Sequence, residues 1–176
     1  MYDVNAPTFP EYIDDAYHHL SSIQLPAFAG MQITDGPYGS VSEAGESTGS
    51  THAASDKSID PQVFQAAITW VIKHDAEIRP LLFAALVEQY WEMRDFIIES
   101  LIDENPDDVV PAIDHPEDLA TLCGLVAVHI GGLNTAGEPI FGIELGCNWE
   151  TEHGAGVQFE GLQVIEAGDA AVAFSF

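Results

Sequence analysis

The second half of the chain constrains the fold most strongly, because apolar runs alternate there with glycine-rich turns. Residues 125–130 and 139–145 are two apolar runs that a short turn separates. Runs of this length and composition favour strands, and so short a connection favours an antiparallel pair. A third run, 157–165, contains turn residues at Glu160–Gly161 and predicts a further hairpin. We therefore expect an antiparallel sheet formed mostly by the C-terminal half.

The stretch 142–156, between the second and third runs, is the part that ordinary packing explains least. It holds four glycines, a cysteine, a tryptophan, a histidine and three glutamates. Glycine reaches positive φ without steric cost, so this density predicts a sharply shaped loop. The loop is interpreted as a structural corner or, alternatively, as a ligand site. The residues that would form either are Cys147, Trp149, Glu150, Glu152 and His153.

Two helices are predicted before the sheet. Asp60 is a typical N-cap and Pro61 a typical first residue, and apolar residues recur at helical spacing over 61–73. A second helix is predicted over 78–102, with Pro80 in its first turn. The aromatic residues of this helix follow the same spacing, so we interpret them as core rather than as a stacking platform.

The first sixty residues give weaker signals. Residues 10–23 have a fair helical period, although their aromatic side chains also suit a strand. A short strand that joins the sheet is expected at 27–33, followed by turn residues at 34–39. From 40 to 58 the chain has almost nothing to bury, which predicts a flexible loop or an irregular hairpin. His52 is expected to be solvated there.

Two short segments flank the predicted sheet. Residues 116–124 have the pattern of a short helix that a proline opens and a glycine ends. Residues 169–176 are apolar and are expected to form an edge strand or a tail packed on the sheet. Within the first sheet run, strict alternation places Val126 and Val128 on one face and Leu125 on the other.

Together these patterns predict a single α+β domain over 1–176, with two main helices packed on an antiparallel sheet. A hydrophobic fraction of 47% is enough for a substantial core. Two cysteines are too few for a disulfide scaffold, and no apolar run reaches the length of a membrane span. The first residues lack the pattern of a secretory signal. We therefore expect a cytoplasmic protein.

Charge is the strongest compositional signal. Four basic residues stand against 29 acidic ones, which gives a formal net charge of −25. Binding to nucleic acid or to anionic lipid needs clustered lysine and arginine, so we expect neither. Such a field favours a cationic partner. Acid-rich surfaces also keep proteins soluble in high salt, so adaptation to a saline habitat is an alternative explanation.

The acidic residues concentrate at the end of the second predicted helix and after it. Carboxylates at a helix C-terminus interact unfavourably with the helix dipole. Helix stability therefore does not explain their presence, and a binding role or adaptation to salt is the expected reason. Asp107 and Asp108 lack the alternating acids, glycine and final glutamate of an EF-hand, so a calcium site is not predicted. The residues expected to contact a basic partner are Glu92, Asp95, Glu99, Asp103, Glu104, Asp107 and Asp108.

The 142–156 stretch also contains ligand types that zinc accepts, and His129 could join them from a neighbouring strand. No paired metal-ligand spacing is present, and the surrounding glutamates disfavour a thiolate at Cys147. The motifs of phosphate loops, dinucleotide sites and serine hydrolases are missing from the sequence. We therefore expect no enzyme, cofactor or metal. The alternative is a small-molecule or metal-binding domain, with or without enzymatic activity, centred on Cys147–His153.

Residues 143–157 read I-E-L-G-C-N-W-E-T-E-H-G-A-G-V, and V-I-E-A-G follows at 164–168. This part of the chain resembles a family of uncharacterised bacterial cytosolic proteins. The family's C-terminal signature is approximately E/F-x-G-C-x-W-D/E-x-E-H-G-x-G, then a hairpin and V-I-x-x-G. Such domains occur among the presumed immunity proteins of polymorphic toxin systems. The resemblance implies an immunity or antitoxin-like role and supplies no catalytic residue. Together with the acidic charge, it leads us to expect that the protein binds and neutralises a cationic toxin.

Overall fold

Six strands pair into one sheet, and two long helices pack on one of its faces. The computed structural model describes residues 18–35, 40–41 and 47–176. Its strands are β1 (His18–Gln24), β2 (Thr34–Asp35), β3 (Ser40–Val41), β4 (Ser50–Asp56), β5 (Cys123–Leu133), β6 (Pro139–Cys147), β7 (Glu150–Glu160) and β8 (Gln163–Gly168). The helices are α1 (Pro61–Lys73), α2 (Asp75–Ser100) and the one-turn α3 (Pro106–Val109), and 3₁₀ turns lie at Pro26–Phe28, Pro116–Thr121 and Ala170–Phe174.

The main sheet has the strand order β1-β4-β5-β6-β7-β8. Every neighbouring pair is antiparallel except β4 and β5, which run parallel with Ala53 opposite Val128 and Ala54 opposite His129. Parallel neighbours need a long crossover connection, and α1 and α2 lie in that crossover. The predicted α+β class, with two main helices and a sheet formed mostly by the C-terminal half, is confirmed.

The flexible loop or irregular hairpin predicted over 40–58 is wrong where the chain forms β4, and residues 42–46 lie outside the described residues. Thr51, Ala53 and Ser55 are buried on the helix-covered side of this strand, at 1%, 0% and 5% exposure. The Thr51 hydroxyl donates to the Val126 carbonyl at 3.1 Å, which satisfies a buried polar group. Small side chains give no hydrophobic signal, so the sequence pattern missed a strand inside the sheet. His52 is half-buried rather than solvated, and burial lowers its pKa.

The N-terminal predictions also need correction. Of the two alternatives for 10–23, the strand is confirmed and the helix is wrong where the structure describes the segment, because His18–Gln24 forms β1 beside β4. Residues 10–17 lie outside the described residues. The strand expected at 27–33 is replaced by a 3₁₀ turn at Pro26–Phe28. Leu25, Phe28 and Met31 are fully buried and lie three residues apart, a spacing that suits a 3₁₀ turn rather than a strand.

Helix α1 has its predicted bounds. The Asp60 side chain accepts a hydrogen bond from the backbone N–H of Gln62 at 2.7 Å, and Pro61 is the first helical residue. Helix α2 begins at Asp75, three residues earlier than predicted, so Pro80 lies inside the helix instead of in its first turn. Side-chain spacing does not locate this start, because α1 and α2 are separated by a single residue.

Two polar side chains of α2 fix the helix to the turn that follows β1. The Asp75 carboxylate accepts a hydrogen bond from the backbone N–H of Ala27 at 2.8 Å. The Arg79 guanidinium donates to the Ala27 carbonyl at 2.6 Å and contacts the Glu117 carboxylate at 3.0 Å. Because charged groups make stronger hydrogen bonds than neutral ones, these contacts hold the start of α2 in a defined position.

The short helix predicted over 116–124 is a 3₁₀ turn that ends at Thr121. The Asp118 carboxylate accepts hydrogen bonds from two backbone N–H groups that precede the turn, at 2.9 Å each. Gly124 does not end a helix but lies in β5. A Cβ atom on Gly124 would lie 2.2 Å from the Gln32 carbonyl oxygen, so glycine permits close chain approach there.

Strand β5 does not alternate strictly. A register shift against β6 between Leu125 and Ala127 marks a β-bulge. The bulge brings Leu125 into the same buried core as Val128 and Ile130. The predicted separation of Leu125 and Val128 on opposite faces is therefore wrong, because one extra residue in a strand reverses the alternation after it.

The glycine-rich stretch 142–156 is a tight β-hairpin and not a loop. Strand β6 ends at Cys147 and β7 begins at Glu150, so only Asn148 and Trp149 connect the two strands. Most of the stretch is therefore paired strand, and the prediction of a sharply shaped loop is wrong. Glycine density was a misleading signal, because two of these glycines serve contacts across the sheet face.

Residues 169–176, which we call the C-terminal segment, pack on the sheet face that carries Gly142 and Gly156. Of the two predicted alternatives, an edge strand or a packed tail, the packed tail is confirmed. A Cβ atom on Gly142 would lie 1.9 Å from the Ala173 carbonyl oxygen. A Cβ atom on Gly156 would lie 2.6 Å from the Asp169 carbonyl oxygen. Glycine at both positions thus lets the backbone of the C-terminal segment approach β6 and β7.

We predict that Gly142→Ala lowers the free energy of unfolding by about 1–3 kcal/mol, the usual cost of forcing an extra carbon into a packed site. Urea unfolding measures this change. Gly168→Ala is the matched control, because its new Cβ would meet only a methyl group of Val172, at 3.0 Å, and no backbone atom. Equal stability of the wild type and Gly142→Ala would contradict the close docking of the C-terminal segment.

Candidate functional site

Cys147, the first residue of the predicted site, is a core residue. It lies opposite Cys123 across the β5–β6 pair, and both cysteines are free and fully buried. The Cys123 thiol donates to the Leu119 carbonyl at 3.1 Å. Burial raises the pKa of Cys147 to about 12 and raises that of Cys123 well above its usual range. The thiolate form needed for nucleophilic attack or metal binding is therefore scarce at neutral pH.

Trp149 anchors the hairpin to α2. Its side chain is 1% exposed, and its ring meets the Tyr90 ring edge-on, with centroids 5.3 Å apart and planes at 90°. The Tyr90 hydroxyl donates to the Pro111 carbonyl, which satisfies the polar end of that side chain. Trp149 Nε1 has no hydrogen-bond partner among the described residues. The contacts of Trp149 are those of a packed core residue.

Glu150 organises the backbone at the start of β7. Its carboxylate accepts hydrogen bonds from the N–H groups of Glu152 and His153, at 3.1 and 3.2 Å. The same carboxylate lies 3.5 Å from Nδ1 of His153, while Glu152 and His153 themselves are exposed. These interactions resemble those of a helix cap and stabilise the turn.

The five residues of the predicted hairpin site do not converge on a ligand. Cys147 and Trp149 point into the core, whereas Glu152 and His153 face solvent. Across 18–35, 40–41 and 47–176, no group of three His, Cys, Asp or Glu side chains is placed to hold a metal ion. The contacts of these five residues are packing and turn contacts, and the alternative ligand site stays a prediction.

The second predicted set lies together at the C-terminal end of α2 and in the residues that follow. All seven side chains are exposed. We call this set the acidic patch; it comprises Glu92, Asp95, Glu99, Asp103, Glu104, Asp107 and Asp108. Arg94 contacts Asp107 at 3.1 Å and also donates to the Val110 carbonyl at 2.8 Å. Within the described residues, no other member of the patch has a salt-bridge partner.

Two large apolar side chains are exposed within the acidic patch. Phe96 is 67% exposed and Ile102 is 83% exposed. On α2, Glu92, Phe96 and Glu99 are spaced by three or four residues, so they share one side of the helix. Apolar side chains surrounded by charged ones form the arrangement that protein interfaces use, with an apolar centre and a polar rim. Sequence analysis identified the acids, but its interpretation of the aromatic residues of α2 as core is wrong for Phe96. Helical spacing decides on which side of the helix a residue lies and not whether another element covers that side.

A different polar pair lies on the sheet face opposite the helices. His129 Nε2 and Glu144 Oε2 are 2.7 Å apart, and their side chains are 20% and 10% exposed. The pair forms because Ala127 lies opposite Glu144 and His129 lies opposite Gly142, which makes the two side chains diagonal neighbours. Local sequence patterns do not predict this contact, because the two residues are fifteen positions apart in the chain. Correct pairing of β5 with β6 would have revealed it.

An open pocket of about 540 Å³ borders this pair. It lies between the end of β4, the middle of β5 and the C-terminal segment. Its walls include Asp56, Ser58, Ile59, His129, Phe174 and Phe176. The Phe174 ring packs against the His129 ring at 5.1 Å between centroids, so the C-terminal segment forms one wall.

The fold and its surfaces describe an α+β domain with an acidic, partly apolar surface on its helical side. A family profile described as Domain of unknown function (DUF6985) matches residues 39–174. The chain therefore belongs to this family of uncharacterised domains, and the match includes β4 to β8 and both long helices. No curated protein and no solved structure matches the chain significantly. Among the described residues, none of the helices combines the length and apolar character needed to cross a bilayer.

We predict that neither cysteine of the native protein reacts readily with iodoacetamide. With a pKa of about 12, about one Cys147 thiol in ten thousand is ionised at pH 8, and burial also blocks access. Mass spectrometry at intervals measures the modification. The urea-unfolded protein is the control and should be alkylated at both positions, since its thiols regain ordinary pKa values. Rapid alkylation of native Cys147 at pH 8 would contradict the assignment of this residue to the core.

Proposed function

We propose that this protein binds a basic partner protein through the acidic patch and neutralises it, as an immunity or antitoxin-like protein does. The observation that carries the proposal is the exposure of Phe96 and Ile102 among carboxylates of which only Asp107 is paired with a base. Acidity alone would also suit adaptation to salt. Adaptation to salt does not account for two large apolar side chains exposed at the same place.

Charge supplies the first part of the interaction. A net charge of −25 attracts a basic protein over distances comparable to the Debye length, about 10 Å at 0.1 M salt. Single exposed ion pairs contribute little, so the attraction depends on several carboxylates acting together. Association with the partner is therefore expected to weaken steeply as ionic strength rises.

Apolar contact supplies the second part. Buried aromatic and aliphatic anchors usually carry most of the affinity of an interface, while the charged rim sets orientation and association rate. Phe96 and Ile102 are the side chains available for that role in the acidic patch. The partner is therefore expected to present apolar residues inside a basic surface, a combination that separates it from nonspecific basic proteins.

Neutralisation would follow from occlusion. A basic effector that acts on nucleic acid holds phosphates in a cationic groove, and a row of carboxylates can occupy that groove instead. The resemblance to presumed immunity proteins favours a toxin as the partner. The acidic patch lies on α2 and in the segment after it, so the protein needs no conformational change to present it.

We predict that the triple variant Asp95→Asn, Glu99→Gln, Asp103→Asn weakens partner binding, because it removes three exposed charges that have no contact in the fold. Immobilised protein is used to capture the partner from a lysate of the source organism at low salt, and a salt gradient elutes it. The partner should elute at lower salt from the variant. Asn suits position 103, where the backbone has a φ of 62°.

A matched control removes the same net charge elsewhere, through Glu77→Gln, Glu152→Gln and Glu166→Gln, all exposed in the structure. This control should elute like the wild type. Equal effects of the two triple variants would show nonspecific attraction and contradict a defined acidic patch. Phe96→Ser should increase the dissociation rate of the partner without a change in net charge. If the captured partner is toxic when expressed alone, co-expression should restore growth only with variants that bind it.

A further inference from the structure

We propose that the pocket beside His129 and Glu144 binds a small organic amine that carries an apolar group. The pocket lies on the sheet face opposite the helices and therefore apart from the acidic patch. Its volume of about 540 Å³ falls in the range of about 300–1,000 Å³ that small-molecule sites occupy. This binding site is independent of the proposed function.

The polar wall of the pocket selects a hydrogen-bond donor. A carboxylate only accepts hydrogen bonds, so the 2.7 Å contact places the imidazole hydrogen on Nε2, from which it is donated to Glu144. In the neutral ring, Nδ1 then carries a lone pair. In the proposed complex that atom faces the pocket that His129 lines, where an amine N–H group can donate to it and a ligand with only acceptor atoms cannot. Glu144 thus acts through His129 as a positioning residue.

The apolar wall suits a hydrocarbon or aromatic group. The apolar lining residues are Ile59, Ile130, Phe174 and Phe176, and Phe174 packs directly against the His129 ring. The Phe176 ring covers Gly131 so closely that a Cβ atom there would lie 2.6 Å from the ring. Glycine at this position therefore lets the aromatic ring reach the strand. Aromatic faces also attract cations within about 6 Å of the ring centre, which favours a protonated amine over a neutral ligand.

The charge of the pocket excludes the opposite ligand class. Asp56 lines the pocket and Glu144 contacts the lining residue His129, while none of the lining residues is a lysine or arginine. The net charge of −25 adds a long-range field of the same sign. An anionic ligand is therefore repelled, and an uncharged analogue loses the electrostatic part of the interaction.

Three probes of the same size test the ligand class: 2-phenylethylamine, 2-phenylethanol and phenylacetate. Isothermal titration calorimetry measures binding to the full chain, and NMR follows the ring resonances of His129. The amine should bind at least about tenfold more tightly than the alcohol, since hydrogen bonds to charged groups are the stronger kind. Phenylacetate should not bind. No binding of the amine, or equal binding of all three probes, would overturn the proposal.

Two variants test the location. Ser58→Phe places a large side chain in the pocket and should abolish amine binding. Ser58 lies in an exposed turn, and its backbone N–H donates to the Asp56 carboxylate at 2.7 Å, a hydrogen bond that the substitution retains. Glu144→Gln should weaken amine binding about tenfold, because the amide no longer fixes the histidine hydrogen as a carboxylate does. Thermal unfolding verifies that both variants are folded. Asp95→Asn, in the acidic patch, is the control and should bind the amine like the wild type. Wild-type affinity in folded Ser58→Phe would overturn the assignment of the pocket.

Discussion

Strands β4 and β5 lie side by side and run in the same direction, with Ala53 opposite Val128. Parallel neighbours cannot be joined by a tight turn, so the chain between them must cross one face of the sheet. Helices α1 and α2 belong to this crossover, and their apolar sides bury the core against that face. The acidic patch lies at the end of α2, so its position on the helical side follows from this one strand pairing.

The other face of the sheet is organised by the C-terminal segment. Gly142 and Gly156 remove the side chains that would keep this segment away from β6 and β7. Gln158 also donates to the Ser175 carbonyl at 3.1 Å and holds the segment on the sheet. The His129–Glu144 pair and its pocket lie beside this segment. The two faces of one sheet thus carry two chemically different surfaces, the acidic patch on the helical side and the pocket beside His129 on the other.

The sequence was informative where packing is periodic. The apolar stripe of α1 and its Asp60 cap predicted that helix with its bounds, and the apolar runs after residue 125 predicted the antiparallel pairs. The prediction failed at β4, whose buried Thr51, Ala53 and Ser55 carry no hydrophobic signal. It also failed at the glycine-rich hairpin, where glycine permits contacts between distant segments instead of a local turn.

The acidic patch could be located from the sequence, because its residues lie close together in the chain and their charges do not depend on the fold. The exposure of Phe96 and Ile102 and the pairing of His129 with Glu144 could not, because both depend on tertiary structure. Local patterns record what a residue prefers among its neighbours in sequence. Contacts between strands that are far apart in the chain require the register, and the β-bulge at Leu125 shows how one residue changes it.

The parallel pairing of β4 and β5 is the central claim, and NMR tests it most directly. Nuclear Overhauser contacts between the backbones of Ala54 and His129 are expected, because these residues are partners in the register. The β4 amides within this pair should also exchange with solvent as slowly as those of β5, since both strands lie inside the sheet. Absence of these contacts, together with loop-like exchange over 50–56, would contradict the pairing and the arrangement of both surfaces.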